Sequence, residues 1–100
     1  MEHSDLNRIA EMEALLDECG AANADLAAQL AKTDALRDKM IRLFSYYGSE
    51  EWYADREAEL PAGMKAGVLS EDLVYDEICS LRDSAFHMLE LAADILKNRL

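Results

Sequence analysis

The sequence predicts an all-α fold. The expected architecture is an antiparallel helical hairpin of two long helices with a short connecting helix, coiled-coil or bundle-like in its packing. Its helices span about 5–47, 50–59 and 71–98, in a single helical domain over residues 1–100. Three observations predict this. Ala, Leu, Glu and Asp dominate the composition and β-branched residues are few. Two stretches carry apolar residues at alternating steps of three and four. Between them lie Gly48 and the only proline, Pro61, which punctuate the helical pattern.

The first long helix takes Ser4 or Asp5 as its N-cap. Its seam runs Ile9, Met12, Leu16, Cys19, Asn23, Leu26, Leu30, Thr33, Arg37, Met40, Phe44 and Tyr47. This is a heptad pattern with polar interruptions at Asn23, Thr33 and Arg37. Leu15, Ala22, Leu36 and Leu43 widen the stripe, which suits a bundle better than a bare two-stranded coil. Gly20 is the weak point, at about 1 kcal/mol against alanine. The alanines around it favour one continuous helix of roughly 60 Å at about 1.5 Å per residue. Cys19 on the seam reads as a small core hydrophobe. Asn23 either fixes register or sits near a wet end.

Gly48 reads as the C-cap glycine of the first helix and Ser49 as the N-cap of the second. Glu50 and Glu51 then lie where the helix dipole favours acids. Pro61 is expected to stop that short helix. One further turn of helix is expected around Met64, between Gly63 and Gly67. Ser70 reads as the N-cap of the last helix, with Glu71 and Asp72 in its first turn and Lys97 and Arg99 at its end. Its seam is Val74, Ile78, Leu81, Ala85, Met88, Ala92 and Ile95. A second strip, Tyr75, Cys79, Phe86, Leu89, Ala93 and Leu96, predicts contacts on more than one side.

Both long helices begin acidic and end basic, so antiparallel packing brings opposite charges together at both ends. Exposed pairs of this kind set orientation more than stability. The first helix outruns the last by roughly 20 Å at about 1.5 Å per residue. Its Ile9, Met12 and Leu16 stripe therefore asks for cover, and a second copy of the chain, in a homodimer, is the simplest candidate.

A formal net charge of −11 argues against direct binding to nucleic acid or to an anionic membrane. No apolar run is long enough to span a bilayer. The first residues show no basic segment followed by an apolar one, so no signal peptide is expected and the location is expected to be cytoplasmic. Two cysteines, at 19 and 79, make no zinc pattern. Asp83 and His87 are one turn apart, where a solvated pair is commoner than a metal site. Neither cysteine has a histidine at hydrogen-bonding helical spacing. No phosphate loop, nucleophile elbow or metalloprotease motif occurs. The expectation is therefore no enzyme, no cofactor and no metal.

The candidate interaction residues are Tyr46, Tyr47, Trp52, Tyr53, Tyr75 and Phe86, together with Ile9, Met12 and Leu16. The aromatic group either lines a groove for a ligand or peptide or forms a small core that holds the short helix. The leading functional expectation is a non-enzymatic helical adaptor or regulatory protein with an unknown protein partner. The alternative is an acidic mimic of nucleic acid that blocks a basic nucleic-acid-binding protein.

One resemblance rests on three runs: Tyr46-Tyr47-Gly48-Ser49-Glu50-Glu51-Trp52, Leu60-Pro61-Ala62, and Gly67-Val68-Leu69-Ser70-Glu71-Asp72 leading to Val74-Tyr75. In these the chain resembles a family of small bacterial proteins described as a domain of unknown function. The resemblance covers nearly the whole chain. It implies a helical fold and no particular activity.

Overall fold

The computed structural model describes residues 3–98. Its helices are α1 (His3–Tyr46), α2 (Glu50–Glu57) and α3 (Leu73–Asn98), with a short 3-10 turn at Gly67–Leu69 between α2 and α3. The fold is all-helical, and no strand occurs among the described residues. Arg99, expected to close the last helix, lies outside the described residues.

The chain divides into two compact units, Met1–Asp38 and Lys39–Leu100. The first consists of the N-terminal part of α1. It passes through Gly20 without interruption, as the run of alanines around that glycine favours. No residue of α1 is buried. Leu6, Ile9, Met12, Leu15, Leu16, Leu26 and Leu30 are all exposed. Cys19, expected in a core, is exposed too. The correction has a simple cause: a lone helix buries nothing, whatever the quality of its apolar stripe. Asn23 directs its amide to the Cys19 sulfur at 3.6 Å, one turn back along the same helix.

The second unit holds the buried residues. Trp52 is 3% exposed and Val74 5%. Met40, Phe44, Tyr46, Tyr47, Leu69, Ile78 and Leu81 are half-buried around them. Burial fades along α3: Met88 and Ile95 are exposed although they continue the Val74 seam.

Three local expectations are corrected. The short helix ends at Glu57, not 59. Ala58 leaves helical geometry at φ −73°, ψ 148°, and its N–H bonds back to Asp55, so the helix closes three residues ahead of Pro61. The turn around Met64 is not helical. Gly63 adopts φ 82°, a left-handed conformation that ends regular winding, and the 3-10 turn forms later, at Gly67–Leu69. The last helix begins at Leu73, so Glu71 and Asp72 precede it. Ser70 still caps it, since its hydroxyl accepts from the Leu73 N–H at 3.1 Å. The Asp72 carbonyl receives the first helical bond, from Asp76 at 2.8 Å.

Candidate protein-interaction site

The site is the corner where α1 ends, α2 forms and α3 begins. Gly48 makes the corner, with φ 78°, a conformation that side-chain-bearing residues rarely adopt. Ser49 then serves both helices. Its hydroxyl donates to the Tyr46 carbonyl at 2.6 Å and accepts from the Trp52 N–H at 3.2 Å. One side chain thus satisfies a carbonyl ending α1 and an amide starting α2.

That cap aims Trp52 inward. Tyr47 and Tyr53 meet its ring edge-on, with centroids 5.0 and 4.9 Å away, the geometry aromatic quadrupoles favour. The indole N–H donates to the Val68 carbonyl at 2.9 Å, so the buried polar atom is satisfied. The Tyr47 hydroxyl donates to the Glu71 carbonyl. Arg56, one turn after Trp52, lies 4.7 Å from its ring centroid, within cation–π range. The same guanidinium reaches Glu71 at 3.5 Å.

These residues leave an open cleft of about 410 Å³ lined by Tyr47, Gly48, Trp52, Tyr53, Arg56, Glu71 and Tyr75. Tyr46 points elsewhere. Its hydroxyl donates to Asp55 Oδ2 at 2.5 Å, and this bond to a carboxylate, with smaller help from burial and neighbouring acids, pushes the phenol up to about 12. Tyr75 is also raised, first through Cys79, one helical turn further on.

The candidate residues therefore separate into four groups. Tyr47, Trp52, Tyr53 and Tyr75 come together at one cleft, with Trp52 as its floor. Tyr46 leaves that cleft for Asp55. Phe86 lies further along α3, exposed, beneath the Arg82 guanidinium at 5.8 Å. Ile9, Met12 and Leu16 belong to the first unit and are exposed there. Sequence reasoning missed Arg56, although four-residue spacing from Trp52 was a usable signal. It also missed Asp55 and the Val68 carbonyl, which nothing in the local pattern marks. Among the described residues no cluster of three or more metal-ligating side chains occurs. Among them, too, no helix is long and apolar enough to cross a membrane.

A family model described as a domain of unknown function (DUF4298) matches residues 9–91. The match spans α2, the corner and most of both long helices, and the chain belongs to that family. No curated protein matches it.

Proposed function

We propose that the protein is a non-enzymatic adaptor or regulatory protein of the bacterial cytoplasm that works through helix-borne protein contacts, as a homodimer. The observation that carries this reading is the amount of large apolar surface held on regular helices. Leu16 is 62% exposed on α1, and Leu89 and Leu96 are 68% and 67% exposed on α3. Such stripes are what helix-in-groove and helix–helix recognition use. The cleft at the corner adds tyrosine, tryptophan and arginine, the types enriched where binding energy concentrates.

In the working form the long helices are proposed to pack antiparallel as a hairpin. Support comes from the charge order: both start acidic, at Glu11, Glu13 and at Asp76, Glu77, and the basic residues Lys39, Arg42 and Lys97 come at their ends.

The net charge of −11 favours one second reading, an acidic mimic of nucleic acid that occupies a basic nucleic-acid-binding protein. Capture of partners from the native host at low and high salt separates the two. An apolar helix interface persists at high salt, whereas a mimic's complex is lost. A partner with a basic nucleic-acid channel, released by salt, would overturn the first reading. A copurifying metabolite or metal with no protein partner would overturn both.

A further inference from the structure

We infer that two copies of this chain pair through α1 in antiparallel orientation, with the two-fold axis beside Gly20–Ala22. This rests on the homodimer reading and fixes its interface and direction. The starting point is that every residue from Leu6 to Lys32 is exposed on a single regular helix, while its apolar side chains keep strict heptad spacing.

Charge decides the direction. The same acid-first pair occurs near both ends of the stripe. Arg8 binds Asp5 at 2.9 Å, and Arg37 binds Asp34 at 3.7 Å. Running the second copy in reverse brings Asp5 level with its Arg37 and Arg8 level with its Asp34. The acidic stretch Glu11–Glu18 then lies level with residues 24–31, whose one charged side chain is Asp25, with Lys32 just beyond them. A parallel pair would set Glu11, Glu13, Asp17 and Glu18 against themselves.

The seam decides the register. With the axis beside Gly20–Ala22, Met12 meets Leu30, Leu16 meets Leu26, and Cys19 meets Asn23 of the second copy, while Ile9 meets Thr33. Shifting one heptad toward the C-terminus would place Arg37 on Met12 and Thr33 on Leu16. Shifting one heptad the other way would place Asp5 on Leu30. Both alternatives desolvate a charge on an apolar partner. Flanking the crossing are Gly20 and Ala22, small enough to let two helices approach closely, and no atom lies within 4 Å of a Cβ built on Gly20.

Distances between spin labels test this in the full chain with Cys19→Ser and Cys79→Ser. Asn7→Cys and Ala35→Cys place labels on the outer face of α1, away from the seam, so they leave the interface intact. Antiparallel pairing predicts roughly 40 Å between two labels at position 7, from about 1.5 Å per residue. It also predicts a much shorter distance, roughly 20–30 Å for labels on opposite outer faces of helices about 10 Å apart, in a mixture labelled at 7 in one population and at 35 in the other. A short 7-to-7 distance means a parallel pair and overturns the inference while leaving the homodimer standing. A dimer by light scattering with neither signal puts the interface elsewhere, with the same consequence. A single 11 kDa species at micromolar concentration overturns the homodimer and this inference together. Circular dichroism of each variant confirms that helix content is kept, and a Leu16→Glu variant is expected to abolish the dimer.

Discussion

The indole N–H of Trp52 donates to the carbonyl of Val68 at 2.9 Å, tying α2 to the 3-10 turn across sixteen residues of sequence. This bond explains why an eight-residue helix holds its place. Alone, α2 is too short to be stable in water. Its ring fills the centre of the corner, and its single polar atom fastens the loop that leads into α3.

Trp52→Ala is therefore expected to cost about 3–5 kcal/mol, the range for truncating a buried aromatic. That is a large share of a small domain's total stability of about 5–15 kcal/mol. Trp52→Phe keeps a ring and loses the donor, and is expected to cost less than the alanine variant. Thermal melts followed by circular dichroism check both. An alanine variant that melts like the parent would show that Trp52 holds nothing in place.

Glycine substitutions should split in sign. Gly48 has φ 78° with no atom within 4 Å of an added Cβ. Gly48→Ala meets open space, and its expected cost of about 1–2 kcal/mol is that of left-handed backbone alone. Gly20 lies in regular helix, also with nothing within 4 Å. Gly20→Ala is expected to stabilise α1 by up to about 1 kcal/mol. Denaturant melts of the two variants should shift in opposite directions.

The all-helical fold and the corner were legible because each rests on local rules. Helical periodicity is carried by neighbours three and four apart, and Gly48 and Ser49 act within one turn of themselves. What escaped depends on the chain's return. Val68 meets Trp52 only because Gly63 reverses the backbone. Asp55 meets Tyr46 only because α2 folds back beside the end of α1. Ser70 shows the limit within local rules: a serine can cap from the residue next to a helix or from further out, and here it caps from three residues before Leu73. Cys19 shows another limit. Its heptad position marks a face that seeks a partner, and periodicity alone does not say whether that partner belongs to the same chain.

Tyr75 and Phe86 are both 56% exposed. Truncating either to alanine is expected to change stability by no more than about 0.5 kcal/mol, as for surface positions generally. The same variants are expected to weaken partner capture, since exposed aromatics on a helix carry contact area at small entropic cost. Loss of capture with an unchanged melt would place the binding surface on α3. Unchanged capture by both variants would remove that strip from the interface.

Tyr46 supplies a pH signature. In the folded chain its phenol is pushed up to about 12, chiefly because its proton is shared with Asp55 and its phenolate would lie against that carboxylate. The unfolded chain would titrate it near 10, the ordinary value for tyrosine. A pKa raised on folding means that the folded state holds the proton more tightly. The stabilisation from this bond is therefore complete below pH 10 and is lost as pH rises through about 12. The group is open to solvent, so the effect is read in its titration and not in stability. Absorbance at the phenolate band should show a late-titrating tyrosine that disappears in Tyr46→Phe. Asp55→Asn keeps the acceptor oxygen and removes the charge, and is expected to bring that titration back toward 10. A late phenol that persists unchanged in Asp55→Asn would rule out the carboxylate as its cause.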